Sequence, residues 1–240
     1  VPVVHIGFPL SLPGPLYGLL RRLRRQHARG GGNARNLRGD RDVEWSFIAA
    51  ALPEGPGTAI DFGPGQSPLG LMAALRGFDV AAVDREPVDW DYEHPRLRYV
   101  HSDLLDLDWR DGPVDLVINC STVEHVGLPG RYGVVRSVPD GDLEAMARLR
   151  GLMKPGGTML LTIPVGEDGV FPPLCRVYGE QRLPRLLAGF HIEREALWIK
   201  DAANRWVQTD RARALSERAD AGSHDPLRNL YALGCFVLRC

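Results

Sequence analysis

The chain has 240 residues, 44% of them hydrophobic, enough to bury one α/β core and better suited to a single domain with local additions than to two independent ones. Its 29 basic and 30 acidic side chains leave a formal charge of -1, so no global positive field argues for nucleic acid or a membrane surface. No stretch reaches the ~20 apolar residues of a bilayer-spanning helix, and the opening VPVVHIGFPLSLPG has neither a charged leader nor an unbroken apolar run, so a cytoplasmic location is expected.

In chain order, PLYGLLRRLRRQHARG (15–30) reads as an amphipathic helix, followed by the glycine-rich break GGNARNLRGD and a second helical piece over 43–52. Together, residues 1–57 are expected to form a helical cover of the same domain whose core spans 58–240. The arginines Arg21, Arg22, Arg24 and Arg25 sit beside Leu19, Leu20 and Leu23, the pattern of a solvated helix face rather than of a nucleic-acid contact.

From residue 58 the pattern alternates. TAIDFG reads as a strand, 67–76 as a helix, and DVAAVD, LRYVHSD and VDLVINCS as further strands. The helix DGDLEAMARLRGLM is stopped by a turn at Lys154, Pro155, Gly156 and Gly157, and TMLLTIPV then reads as a strand buried on both faces. A helix over 182–188, the strand HIEREALWIK, a helix over 206–218 and the strand YALGCFVLRC complete the order, with ERADAGSHDPLRN (217–229) as the expected mobile loop. This alternation predicts an α/β fold with a doubly wound parallel sheet. Cys120, Cys175, Cys235 and Cys240 form no CxxC pair and have no histidine at zinc-like spacing, so they read as reduced thiols, Cys120 and Cys235 within strands.

The most informative stretch is AIDFGPGQSPLGLMAALRGFDVAAVDRE (59–86). An apolar strand ends at Asp61, a turn follows through Gly63, Pro64 and Gly65, and a second strand closes on Asp84, 19 residues after Gly65. In an open α/β sheet, ligands lie beyond the carboxyl ends of the strands, where glycines let the backbone come close and a strand-end acid can accept from both ribose hydroxyls. No third glycine falls three after Gly65, and no Lys-Ser or Lys-Thr follows, so neither a dinucleotide fingerprint nor a P-loop is present.

The D-x-G-x-G of Asp61, Gly63 and Gly65 with the downstream Asp84 resembles the first two motifs of the class I S-adenosylmethionine-dependent methyltransferases. HSDL, DLVINCSTVEHV and LRGLMKPGGTMLLTIP are similar to that family's later motifs in the same order. The resemblance implies a seven-stranded Rossmann-like sheet whose last strand is antiparallel. It also implies S-adenosyl-L-methionine as cofactor, with S-adenosyl-L-homocysteine as product, held by Asp61, Gly63, Gly65, Asp84, Asp103, Leu104, Asn119 and Ser121. Asp103 has the alternative of capping the turn that follows it.

Glu124 and His125 follow the fourth core strand, and a neutral histidine, with an ordinary pKa near ~6.5, can take a proton from an acceptor hydroxyl. His125 is therefore the expected base, with Glu124 beside it. Relatives in quinone pathways hold a divalent ion beside such a pair, but Asn119 and Ser121 stand where carboxylates would be needed, and metal dependence is not favoured. EHVGLPGRYG and PVGEDGVFPPLCRVYGEQRL resemble a narrower, largely uncharacterised family of methyltransferase-like chains. They offer Arg131, Tyr132, Asp168, Arg176 and Tyr178 for acceptor binding, which suits O-methylation of a sugar hydroxyl or glycan. An RNA methyltransferase and a non-catalytic cofactor-binding module are the rival readings. Oligomeric state is not legible.

Overall fold

The computed structural model describes residues 3–5, 11–13, 40–130, 132, 134–135, 137–219 and 231–240. The helix expected over 15–30 with its arginines, Arg131, and most of the loop expected over 217–229 lie outside the described residues. The chain separates into two compact units, Val1–Asn36 and Leu37–Cys240. In the first, β1 (Val3–His5) pairs antiparallel with β2 (Ser11–Pro13).

The second unit opens with α1 (Asp40–Ala51), whose first turn carries Asp40 and Asp42, acids that favour a helix N-terminus. Then follow β3 (Gly57–Phe62), α2 (Leu69–Leu75), β4 (Phe78–Asp84), β5 (Leu97–His101) and β6 (Val114–Cys120). The remainder is α3 (Gly141–Leu152), β7 (Met153–Val165), the hairpin strands β8 (Gly169–Phe171) and β9 (Cys175–Val177), α4 (Arg182–Leu186), β10 (His191–Lys200), β11 (Trp206–Thr209), α5 (Arg211–Leu215) and β12 (Ala232–Arg239).

Eight strands form one sheet in the order β11-β10-β12-β7-β6-β3-β4-β5. The five strands β7-β6-β3-β4-β5 run parallel, and β12 lies antiparallel between β7 and β10. Strands buried on both faces need apolar residues at successive positions, and residues 157–165 of β7 are all buried. Alternate residues feed two cores. Ile60, Val117 and Leu161 face the side of α3 and α4, whereas Ala59, Leu116, Ile118 and Leu160 face α1 and α2 through Ile48, Leu69 and Ala73.

Two sequence expectations are corrected. The helix expected over 206–218 begins as β11, because Trp206, Val207, Gln208 and Thr209 pair with β10; only Arg211–Leu215 is helical, with Asp210 accepting from the Arg213 N–H as its cap. The sheet therefore has eight strands rather than seven. The Lys154 to Gly157 turn also lies inside β7: Met153 already pairs with Val114, and the next partners are Leu116 and Thr158, so the glycines bulge out of a continuing strand.

Chain direction divides the sheet at β3. Strands β4 and β5 are added on one side and β6 and β7 on the other, which opens a crevice at the carboxyl ends of β3 and β6.

Candidate functional site

A cleft of about 330 Å³ occupies that crevice, within the usual range for small-molecule sites. The turn after β3 forms its floor. Gly63 has φ 65°, and a β-carbon there would stand 2.1 Å from Thr122 Cγ2, so both backbone angle and space demand glycine. Gly65, at φ 51°, meets only open space on the same test. Its N–H donates to Asp84 Oδ2 at 3.0 Å, and the Glu86 N–H donates to Asp84 Oδ1 at 2.9 Å, so the acid closing β4 is fixed by the turn and by its own flank. Aromatic side chains from the loop after β4 hold the turn from outside: Trp90 Nε1 donates to the Gly65 carbonyl and Tyr92 Oη to the Ser67 carbonyl, both at 2.9 Å.

Of the residues expected at the cofactor, Gly63, Gly65, Asp84, Asp103, Leu104 and Ser121 line the cleft. Asp103 also accepts from the Leu105 N–H at 3.0 Å and pairs with Arg85 at 2.9 Å, so the capping alternative is realised. Asp61 and Asn119 do not line it. Asp61 is 1% exposed beneath the turn, where burial pushes its carboxyl up to about 7, the Gly70 N–H opposes this, and the Asp84 charge adds to it. Asn119 is fully buried and accepts from the Val123 N–H, bracing the short 3-10 turn Val123–His125.

That turn puts His125 in the cleft wall, 17% exposed, with Tyr132 edge-on at a ring distance of 5.3 Å. Glu124 lies behind it, 2% exposed, with Oε1 3.6 Å from His125 Nε2. Of the expected acceptor residues, Tyr132 alone is brought to the cleft among the described ones. Asp168 accepts from the N–H groups of Gly179, Gln181 and Arg182 and so caps α4. Arg176 is 1% exposed, its guanidinium surrounded by backbone carbonyls and Asp142; Tyr178 is fully buried. Arg176 and Tyr178 are committed to the interior and the exposed Asp168 to the amides at the start of α4, and none of the three lines the cleft, so the acceptor contacts expected of them are corrected accordingly.

Two cleft residues, Arg41 and Trp45, come from α1, which the motif spacing did not connect to the site. Between them Glu44 is fully buried against Arg41, Ser121 and Thr162. Burial works against the Arg41 charge, but the Glu44 carboxylate outweighs it and holds the guanidinium firmly protonated. Burial, reinforced by Glu44, keeps the Cys120 thiol protonated. All four cysteines are free. Among the described residues, no group of three or more His, Cys, Asp or Glu side chains is arranged to hold a metal ion, and no helix is long and apolar enough to cross a membrane.

Residues 96–206 match a family described as "Caenorhabditis protein of unknown function, DUF268". No curated protein sequence matches the chain. Among solved structures, a SAM dependent methyltransferase from Archaeoglobus fulgidus superposes with a TM-score of 0.55 at 14% identity over 85% of this chain and 96% of that one. The [4+2]-cyclase SpnF gives 0.54 at 15% identity, covering 94% of both chains. The Burkholderia thailandensis 1,6-didemethyltoxoflavin-N1-methyltransferase, solved with bound 1,6-didemethyltoxoflavin and S-adenosylhomocysteine, gives 0.51 at 20% identity over 99% of this chain and 94% of that one. At these identities the likeness speaks for architecture alone, and on that ground the chain has the class I S-adenosylmethionine-dependent methyltransferase fold.

Proposed function

We propose that the protein is an S-adenosylmethionine-dependent methyltransferase acting on a hydroxyl of a small-molecule acceptor, a sugar hydroxyl among the candidates. The observation that carries the reading is the convergence, in one cleft, of the Gly63 to Gly65 turn, the strand-end acid Asp84 and His125. Asp84 would accept from the ribose hydroxyls, Leu104 would face the adenine and the turn would line the sulfonium arm. The 330 Å³ cleft and the bare backbone at Gly65 suit such a ligand. Bound there, S-adenosylmethionine supplies an electrophilic methyl group.

His125 Nε2 then takes the proton from the acceptor oxygen, since Nδ1 is buried, and Glu124 Oε1, 3.6 Å from the same nitrogen, stabilises the imidazolium that results. Asn119 and the 3-10 turn hold that imidazole in place. Tyr132 closes the same wall and offers a ring face to the acceptor. Because a cyclase shares the fold, architecture does not by itself specify methyl transfer; the base in the wall is what favours it.

The test is calorimetric titration with S-adenosylhomocysteine together with labelled-methyl transfer to nucleotide sugars, glycosides, phenols and RNA. Binding and transfer to a hydroxyl compound are expected. Transfer confined to RNA or to amines would sink the acceptor assignment, and binding without transfer to any acceptor offered would favour a non-catalytic module.

A further inference from the structure

We infer that the acceptor carries an apolar group beside the hydroxyl it presents, and that this group rests on a rim built from the loop after His125 and the β8–β9 hairpin. The inference rests on the hydroxyl-transfer reading above and adds a substrate class to it. Of the six large apolar side chains exposed among the described residues, four stand on these two segments: Tyr132 at 40%, Val135 at 93%, Val170 at 53% and Leu174 at 43%. Single exposed apolar residues are ordinary, whereas a cluster of them at the mouth of a cleft marks a contact surface. The two segments are braced against each other. The Val138 N–H donates to the Gly127 carbonyl at 2.9 Å and the Gly130 N–H to the Val134 carbonyl at 3.0 Å, which closes the loop at its base and again near its tip. Arg176, opposite Val170 in the hairpin, donates to the carbonyls of Val126 and Val138, the two ends of that loop. At the hairpin tip, Pro173 comes so near that a β-carbon on Gly130 would stand 3.2 Å from its Cβ.

Continuity with the reacting centre selects the occupant. Tyr132 and Val134 belong to this loop and also line the cleft, and the Tyr132 ring stands edge-on to His125. Tyr132 holds φ 51°, a left-handed angle that a bulky side chain adopts at a cost glycine would not incur. What that conformation secures is an aromatic ring reaching from the rim to the base. An acceptor with its oxygen at His125 Nε2 leaves the cleft past this ring, so the rest of the molecule meets the rim. Charge agrees with this. No acid occurs between Val126 and Pro139 or between Gly169 and Cys175, so the rim offers a cationic group no counter-charge. A bare sugar would leave these side chains in water, whereas an alkyl or aryl substituent would cover them.

The probes are matched hydroxyl compounds: methyl against octyl glucoside, methyl against octyl rhamnoside, and phenol against 4-butylphenol, all at concentrations where they are monomeric. In each pair that accepts methyl, the apolar member should have a KM lower by about tenfold or more, the gain from burying about two methylenes. Val135→Ser combined with Leu174→Ser changes only exposed side chains. It should bring that KM ratio to about threefold or less, while S-adenosylhomocysteine binds within about twofold of the parent and so reports an intact cleft. A parent ratio near one, or a ratio that survives the double substitution, overturns the inference and leaves hydroxyl transfer standing. Sedimentation of both proteins reads the competing occupant: a parent dimer that the double variant dissolves, with the KM ratio kept, assigns the rim to a second copy of this chain and overturns the inference as well. No transfer to any hydroxyl compound overturns both readings.

Discussion

The N–H of Gly65 donates to Asp84 Oδ2 at 3.0 Å, tying the turn after β3 to the residue that closes β4. Two elements on either side of α2 thereby form one rigid floor, and the carboxylate is oriented before any ligand arrives. Since its other oxygen accepts from the Glu86 N–H, an amide in its place would have to oppose one donor with another.

Asp84→Ala should therefore weaken S-adenosylhomocysteine binding by roughly 1.5 to 3 kcal/mol, the scale of charge-assisted hydrogen bonds to a ribose diol. Asp84→Asn should fare no better than alanine. Calorimetry on folded variants measures both, and parent-like affinity in either one would remove Asp84 from the cofactor site.

His125→Ala should leave cofactor affinity within about threefold and lower turnover ~10²-fold or more, the usual contribution of a positioned general base. Glu124→Gln should give a smaller loss, because the neutral amide still orients the ring but no longer stabilises its cation. Single-turnover assays on an accepted hydroxyl substrate decide the matter: an alanine variant as fast as the parent in the chemical step would leave His125 a packing residue.

Much of this architecture was legible from residue order, because parallel strands buried on both faces leave continuous apolar runs and glycine turns between them. VDLVINC and TMLLTIPV are such runs. The edge strand Trp206–Thr209 was not legible, since four residues carry too little alternation to outweigh the neighbouring helical RARAL. Gly63, Gly65 and Asp84 could be found because local backbone geometry constrains their spacing. Glu44 meets Thr162 across 118 residues, a contact that only the folded sheet creates. Arg176 misled for a related reason: arginine is ordinarily an exposed residue, and nothing in CRVYG reveals the carbonyls that come to surround it.

Asp61 gives the fold a pH dependence of definite sign. Burial raises its carboxyl from an ordinary 3.8 to about 7, against the Gly70 N–H and with help from Asp84, so the native state holds this proton more tightly than the unfolded chain does. The group's stabilising contribution is complete below pH 3.8 and is lost as pH rises to about 7, on the order of a few kcal/mol, beyond which it no longer varies. Asp61→Asn cannot titrate. Urea unfolding of parent and variant across this range should show the variant gaining on the parent as pH rises, then a constant difference above neutrality. Parallel curves would mean that the carboxyl does not carry the shift.

Arg176 separates an internal brace from an acceptor contact. Its Nη1 donates to the carbonyls of Val126 at 2.6 Å and Glu124 at 3.3 Å, its Nη2 to those of Val138 at 3.1 Å and Pro139 at 3.3 Å, and Nε stands 3.5 Å from Asp142 Oδ1. One planar fork thus joins the turn bearing His125, the chain just before α3 and α3 itself. Arg176→Lys keeps the charge beside Asp142 but cannot span those carbonyls, and buried acceptors left unsatisfied cost about 1 to 3 kcal/mol each. The variant should lose roughly 2 to 4 kcal/mol of stability, a fall of about 5 to 15 °C in Tm for a chain of this size. Well below that temperature, acceptor KM should stay within about twofold of the parent and cofactor affinity within about threefold. Thermal melts and steady-state kinetics on one preparation read both quantities. A parent-like Tm with a selectively raised acceptor KM would mean that Arg176 reaches the acceptor after all.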